Sequence, residues 1–225
     1  MRRILGFFSL LVICSHAAAG LERISNADAV SGLKQALNDG SLAAVSRLGV
    51  QNGFFNNPQV KIPLPPSLKR AEGAMRALGM RKQADELVLS MNRAAEAAVP
   101  EAKELLVDSV KKMSVQDAKK ILTGGNTAGT DYFKRTTQPQ LMQRFLPIVK
   151  KATDRAGLAQ QYNSIAGQGA ALGLVKEDQA TSERYVTQKT LDGLYFMIGE
   201  QEKAFRANPL GASSDIVKRV FGALK

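Results

Sequence analysis

The stretch Arg81–Val99, RKQADELVLSMNRAAEAAV, is the most informative segment for the fold class of this 225-residue chain. Its apolar residues recur at helical spacing, with charged residues on the other face: Ala84, Leu87, Val88, Met91, Ala95 and Ala98. Apolar residues spaced in this way form one stripe along an α-helix, and burial of the stripe drives packing. The stretch therefore predicts an amphipathic helix that packs into a helical core.

Similar patterns on either side predict more helices. Ser25–Asp28 (SNAD) has the spacing of a capping box and predicts a helix start, and Gly40 predicts an interruption of that helix. A helix near residues 128–136 and a separate one from Pro139 to about residue 156 are expected, because proline interrupts helices. Glu183–Ala207 predicts a central helix, since its middle is apolar on every side.

One short stretch does not fit a helical pattern. Val60–Pro65 (VKIPLP) alternates apolar residues with prolines, which favours extended chain or a short edge strand. The sequence as a whole contains no internal repeat and no heptad pattern. We therefore predict an all-α, single-domain helical bundle of about seven to nine helices, with one short extended segment near Val60–Pro65.

The N-terminus has the three parts of a secretory signal peptide. Arg2 and Arg3 precede the apolar run Ile4–Ile13, and Ala17–Ala19 forms an A-x-A cleavage site. The apolar run is about half as long as a membrane-spanning helix needs to be. Residues 1–19 are therefore predicted to be a cleaved leader, and residues 20–225 a single helical domain in the periplasm.

Cys14 offers a less favoured alternative for the leader. Lipid modification at Cys14 would make the protein a lipoprotein, but Ile13 stands where that cleavage motif normally has a small residue. After cleavage at residue 19, the chain keeps no His, Cys or Trp, because His16 and Cys14 both lie in the leader. The usual general base, thiol nucleophile and zinc ligands are then missing, so binding is favoured over catalysis.

Carboxylate chemistry is the enzymatic route that remains open. A hydrolase acting on envelope polysaccharide would need two carboxylates at a suitable separation, and the candidates are Glu96, Glu101, Asp131 and Asp192. Their spacing in the sequence does not pair any two of them. No cofactor and no metal site is predicted.

The chain is basic, which favours anionic partners. Its formal net charge is +11, and loss of Arg2 and Arg3 with the leader lowers it to +9. Four basic doublets fall on successive predicted helices: Lys111-Lys112, Lys119-Lys120, Lys134-Arg135 and Lys150-Lys151. The expected partners are anionic lipid, an envelope polymer or a small anionic ligand, with peripheral membrane contact. Nucleic acid is not expected, because no recognised binding motif accompanies the charges.

A loop rich in glycine and threonine, Thr123–Asp131 (TGGNTAGTD), is the first candidate ligand site. Such a loop entering a helix can offer backbone N–H groups and a positive dipole to an anion. The candidate residues are Thr123, Gly124, Gly125, Thr130, Asp131, Arg135 and Thr136. The alternative is a simple connection between two helices, in which Gly124 ends one helix and a threonine caps the next.

The second candidate site lies on the opening stretch. Asn92 and Glu96 are four residues apart and share one helix face, with Arg93 beside them. Polar residues next to an apolar stripe can line a cleft or form a buried hydrogen-bonded network. A solvated helix flank with an Arg93–Glu96 surface pair is the alternative.

Several segments in a fixed order resemble one bacterial family: Ser25–Ala29 (SNADA), Asn57-Pro58 with Lys61–Pro65 (KIPLP), Ser90–Glu96 (SMNRAAE), Asp117–Gly125 (DAKKILTGG), Tyr132–Thr137 (YFKRTT), and Tyr185–Lys189 (YVTQK) with Leu191–Leu194 (LDGL). The family is the one catalogued as domain of unknown function 4197. This resemblance implies an exported helical domain without an assigned activity, and it transfers no catalytic residues.

Taken together, the sequence leads to three hypotheses. The first is a periplasmic, non-catalytic binding or envelope-associated module for an anionic ligand or surface. The second is the carboxylate-dependent hydrolase of envelope polysaccharide. The third is a structural partner-binding protein, which predicts an exposed apolar patch on the C-terminal helix.

Overall fold

The computed structural model describes residues 25–65, 81–155, 182–211 and 214–223, and regular secondary structure in these ranges is entirely helical. The α-helices are α1 (Asn26–Leu48), α2 (Arg81–Ala98), α3 (Ala102–Lys112), α4 (Val115–Leu122), α5 (Ala128–Arg155), α6 (Ser182–Ala207) and α7 (Asp215–Gly222). The prediction of an all-α fold is confirmed. The predicted leader, residues 1–19, lies outside the described residues.

The predicted number of helices is slightly too high. A 3-10 turn at Val99–Glu101 joins α2 to α3 without a gap, so the described ranges contain six separate α-helical segments rather than seven to nine helices. Pro100 does not interrupt the helical segment there, because it lies at the start of the 3-10 turn. The N–H that proline lacks has no helical partner at that position. A second 3-10 turn, Pro209–Gly211, lies between α6 and α7.

Helix α1 begins as predicted but continues past Gly40. Ser25 Oγ accepts a hydrogen bond from the Asp28 backbone N–H at 3.0 Å, which is the expected N-terminal cap. The predicted interruption at Gly40 is wrong, since α1 runs unbroken to Leu48. A Cβ added at Gly40 would lie 3.3 Å from side-chain atoms of Gln201 and Phe205 on α6. The glycine therefore allows α1 and α6 to approach closely.

Helix α5 contains two prolines, Pro139 and Pro147, and the first was expected to separate two helices. The prediction of separate helices on either side of Pro139 is wrong, because α5 is a single 28-residue helix. Pro139 and Pro147 are both exposed. Carbonyls that lose their helical partner on a solvent-facing side can bond water, so the prolines are tolerated there.

Helix α6 occupies the centre of the bundle and contacts α1, α2, α5 and α7. Its middle is buried, as predicted: Leu194, Tyr195, Met197 and Ile198 are each at most 5% exposed. Phe196 departs from this pattern at 40% exposure. The stripe on α2 also faces the core, where Met91, Ala95 and Ala98 are fully buried.

The proline-containing segment Lys61–Pro65 lies in neither a helix nor a strand. Ile62 and Leu64 are buried while Lys61 and Pro63 are exposed, so burial alternates as the sequence pattern indicates. The segment thus contributes two side chains to the core without pairing as a strand.

The short helix α7 packs its apolar side on α1. Val217, Val220 and Phe221 are buried, and a Cβ added at Gly32 of α1 would lie 2.5 Å from Val220 Cγ2. The face on which an exposed apolar patch was expected is therefore covered by the protein itself. Among the described helices, none is long and apolar enough to cross a membrane.

Candidate functional site

The glycine-rich loop connects α4 to α5. Thr123 Oγ1 donates a hydrogen bond to the Lys119 carbonyl at 2.9 Å, so Thr123 closes the last turn of α4. A Cβ added at Gly124 would lie 2.7 Å from Ala128 Cβ, whereas Gly125 has open space around it. These residues form the helix-to-helix connection that the sequence offered as an alternative.

The start of α5 already holds an anion, and that anion is Glu202 of α6. Glu202 Oε1 accepts a hydrogen bond from the Gly129 backbone N–H at 2.9 Å. Glu202 Oε2 accepts from the backbone N–H and the Oγ1 hydroxyl of Thr130, each at 2.9 Å. Thr130 is 3% exposed and Glu202 is 4% exposed. The predicted donors are therefore bonded to a carboxylate inside the protein.

Arg206 neutralises Glu202 one turn further along α6. Its Nε and Nη2 atoms lie 3.2 and 3.0 Å from Glu202 Oε1. Arg206 Nη2 also donates to the carbonyl of Ile121, on α4, at 2.8 Å. One buried ion pair thus ties together the ends of α4, α5 and α6. We call Gly129, Thr130, Glu202 and Arg206 the Glu202 cluster.

The second candidate site also proves to be a buried network. The Asn92 side chain accepts from the Ile62 backbone N–H at 2.8 Å and donates to the Ile62 carbonyl at 2.9 Å. It also donates to the Val88 carbonyl at 2.8 Å. Asn92 is fully buried. Its side-chain amide bonds both the N–H and the C=O of Ile62, as the backbone of a neighbouring β-strand would. The solvated-flank alternative does not describe it.

Glu96 holds the turn that precedes this segment. Its Oε1 accepts hydrogen bonds from the backbone N–H groups of Phe54 and Phe55, each at 3.0 Å. Its Oε2 lies 2.6 Å from Arg93 Nη1, and Arg93 Nη2 donates to Asn52 Oδ1 at 2.8 Å. Asn52 has a positive φ of 70°, so Arg93 bonds a residue in a sterically uncommon conformation. These five residues are the Glu96 cluster below.

The Glu96 cluster and the Glu202 cluster are separate, although in each a buried glutamate pairs with an arginine of its own helix. No hydrogen bond between described residues joins the two clusters. Glu202 and Arg206 were missed at the sequence level, because the stretch around them looks like an ordinary charged helix end. Only the spacing of four residues between Glu202 and Arg206 signals an ion pair, and such pairs usually lie on the surface.

The remaining carboxylates considered for hydrolysis lie on three different elements: the 3-10 turn at Val99–Glu101, α5 and α6. Glu101, Asp131 and Asp192 are exposed, and Asp192 is bonded to Gln188 and Lys189. Both oxygens of Glu96 are already bonded inside the protein. Among the described residues, no three His, Cys, Asp or Glu side chains form a group that could hold a metal ion.

Two buried tyrosines add neutral polar contacts to the core. Burial raises the pKa of Tyr195 to about 12, and its hydroxyl lies 2.9 Å from Thr137 Oγ1. Burial also raises the pKa of Tyr185 to about 12, and its hydroxyl donates to the Pro63 carbonyl at 2.9 Å. Both side chains are therefore uncharged near neutral pH.

The last candidate residues lie on an exposed junction of α3, α4 and α5. Arg135 is 65% exposed, and its Nη2 lies 3.8 Å from Asp117 Oδ1 on α4. Thr136 Oγ1 lies 2.6 Å from Ser109 Oγ on α3. Through these contacts α5 joins α3 and α4, the three helices carry three of the four basic doublets, and all six side chains are exposed: Lys111, Lys112, Lys119, Lys120, Lys134 and Arg135. We call these six residues the basic surface.

The fold and these sites define a class of protein: a helical bundle with two internally bonded carboxylates and a basic surface. A family model described as protein of unknown function (DUF4197) matches residues 23–222, and the chain belongs to this family. This confirms the resemblance seen in the sequence. No curated protein and no solved structure matches the chain.

Proposed function

We propose that this protein is an exported, non-catalytic module that binds anionic surfaces of the cell envelope through its basic surface. The observation that carries the proposal is that α5 packs against α3 and α4 and that these three helices expose six basic side chains. The proposal includes cleavage of residues 1–19, release of residues 20–225 as a single domain into the periplasm, and peripheral contact with a membrane or envelope polymer.

The charges of the basic surface are largely free to meet a partner. Lys111 pairs with Asp108 at 3.5 Å and Arg135 with Asp117 at 3.8 Å, and both contacts are partly solvated. Exposed pairs of this kind contribute little energy, so an anionic surface can compete for the cations. Each basic residue close to an anionic membrane contributes about 1 kcal/mol to binding. Several together are enough for reversible attachment.

The internal bonding of Glu202 also favours a surface over a pocket. The α5 N-terminus is the most obvious place for a small anion, and Glu202 fills it. An external anion must then bind to side-chain cations, which recognise charge more than shape. Binding should accordingly be broad among anionic lipids and polymers and should weaken with salt.

The test uses purified residues 20–225 and vesicles of phosphatidylcholine with or without phosphatidylglycerol. We expect sedimentation with the anionic vesicles at low salt and a strong reduction at 0.5 M salt, because salt screens exposed charges. The variant K119E/K120E/K134E should lose this binding. Its matched control, K150E/K151E, reverses exposed lysines on the C-terminal part of α5 and should bind like the unmodified protein. Equal binding of all three proteins, or none by any, would overturn the proposal.

A further inference from the structure

A groove of about 460 Å³ lies between α1 and α3, away from the Glu96 and Glu202 clusters and adjoining the basic surface at Lys111. Its volume falls in the range typical of small-ligand sites. The lining combines apolar walls, two lysines and two side-chain amides, and the residues used below are Val30, Val107, Val110, Lys34, Lys111 and Asn38. The second amide, Gln35, donates to Asp39 Oδ1 at 2.8 Å.

The cations in the groove retain hydrogen-bonding capacity. Lys34 Nζ donates to the Lys111 carbonyl at 3.2 Å, which uses one of its three N–H donors. Lys111 Nζ lies 3.5 Å from Asp108 in an exposed pair, so its charge is only partly compensated. An anionic group in the groove would meet two cations: Lys34, whose Nζ reaches across to the Lys111 carbonyl, and Lys111 itself.

Asn38 contributes an acceptor that lacks a donor. Its Oδ1 is buried, and no hydrogen bond from the described part of the chain reaches it. An unsatisfied buried acceptor costs about 1–3 kcal/mol. A ligand N–H or O–H toward which the Asn38 amide turns would recover this energy. This requirement for a donor is independent of the charges of Lys34 and Lys111.

These three features discriminate between ligand classes. A phosphate ion satisfies the lysines but leaves the valines without a partner. A fatty acid satisfies the valines and the lysines, but its carboxylate and chain carry no donor for Asn38 at neutral pH. A peptide with a free carboxylate supplies backbone N–H donors, apolar side chains and negative charge together.

We propose that the α1–α3 groove binds a short acidic peptide. The lining residues Ala27 and Asn38 are eleven positions apart on α1, a length of about 16 Å at 1.5 Å per residue. About five extended residues cover that length at roughly 3.3 Å each. Charge complementarity with Lys34 and Lys111 places the peptide carboxylate near the middle of the groove.

This inference goes beyond surface attachment and does not depend on it. Lys111 belongs to both the groove and the basic surface, so the test leaves it unchanged. The probe is the peptide acetyl-AVDVA-amide, whose one carboxylate lies at the middle residue; it is titrated into residues 20–225 and followed by chemical shifts of the protein. Dodecanoate and inorganic phosphate are titrated in parallel as the other two ligand classes.

Two variants make the test specific. Lys34→Gln removes a groove charge, and Asn38→Leu removes the acceptor; each should weaken peptide binding about tenfold, the scale of a lost hydrogen bond to a charged group. Lys119→Gln, on the basic surface, is the matched control and should bind the peptide normally. Asn38→Leu should unfold at a temperature no lower than the unmodified protein, since it removes an unsatisfied polar atom.

The results separate this inference from the proposed function. The groove proposal is overturned if the peptide does not bind, if Lys34→Gln and Asn38→Leu bind it normally, or if dodecanoate binds more tightly. Vesicle binding by Lys34→Gln should equal that of the unmodified protein, because Lys34 is outside the basic surface. Failure of vesicle binding with retained peptide binding would overturn only the surface proposal.

Discussion

The Glu96 and Glu202 clusters use the same chemical device in two different settings. Each glutamate is 4% exposed, accepts two backbone N–H groups, and pairs with an arginine on its own helix. Glu96 holds a turn, whereas Glu202 holds the N-terminus of α5. Arg93 is 33% exposed in its cluster and Arg206 only 11% in the other. The Glu202 pair is therefore more completely withdrawn from water.

This difference in burial should decide how much each cluster contributes to stability. A charge left unpaired at the surface is solvated, but one left unpaired in the interior keeps its desolvation penalty. Glu202 also connects three helices, while Glu96 connects α2 to the turn at Asn52–Phe55. We therefore expect the Glu202 cluster to be the more sensitive of the two.

The largest effect is expected for Glu202→Ala. This variant leaves Arg206 without its carboxylate partner and the Gly129 and Thr130 amides without their acceptor. The free energy of unfolding should therefore fall by about 3–5 kcal/mol. Urea denaturation followed by circular dichroism measures the change. Glu202→Gln, which keeps the volume and one acceptor, is the control and should lose less. A loss below about 1 kcal/mol for Glu202→Ala would contradict the importance assigned to this cluster.

Glu96→Ala should cost less, about 2–3 kcal/mol in the same urea measurement. The Phe54 and Phe55 amides lose their acceptor, and an unsatisfied buried group costs about 1–3 kcal/mol. Arg93 can turn toward water because a third of it is already exposed. If Glu96→Ala destabilises the protein more than Glu202→Ala does, burial of the arginine is not what separates the clusters.

The two arginines provide a direct test of that explanation. Arg206→Met should destabilise the protein by about 3 kcal/mol and Arg93→Met by about 1 kcal/mol, because the former leaves a carboxylate in the less solvated site. Methionine keeps an unbranched apolar side chain in both cases, although Arg206 also loses its contact with the Phe221 ring and its hydrogen bond to the Ile121 carbonyl. Thermal unfolding of the two variants side by side makes the comparison. Equal losses would show that both carboxylates remain equally well solvated.

The smallest effect is expected for Thr130→Val. The hydroxyl of Thr130 is one of several donors to Glu202, and the Glu96 cluster has no described hydroxyl in the same role. Valine keeps the shape and removes one hydrogen bond, for a loss of about 1 kcal/mol. Thr123→Val, at the exposed end of α4, is a matched control and should change stability by less than about 0.5 kcal/mol.

The helical parts of the fold follow well from sequence patterns, and the errors have local causes. The stripe of Met91, Ala95 and Ala98 predicted a buried helix face correctly, because burial and helical period agree there. Gly40 and Pro139 were mistaken for breaks. Both residues are intrinsically unfavourable inside helices. Close packing against α6 compensates at Gly40, and solvent exposure compensates at Pro139.

The candidate sites were predicted less completely. The pattern around Asn92 and Glu96 identified a group that does form a network, since the residues share a helix face. Their partners could not be named, because Ile62 and Phe54 lie 30 and 42 residues away. At the α5 N-terminus the sequence pointed to an anion-binding position but not to its occupant. Glu202 is more than 70 residues distant in the chain.

The sequence by itself determined the helical class, the family and the positive charge, because helical periodicity, ordered motifs and composition are local or additive properties. The tertiary structure alone decided which groups meet. Long-range packing brought Glu202 to the amides of α5, α5 into contact with two other helices that carry basic doublets, and Asn38 into a groove without a donor. Hydrogen bonds and ion pairs depend on distances of a few ångströms, and only the folded chain defines those distances between residues far apart in sequence.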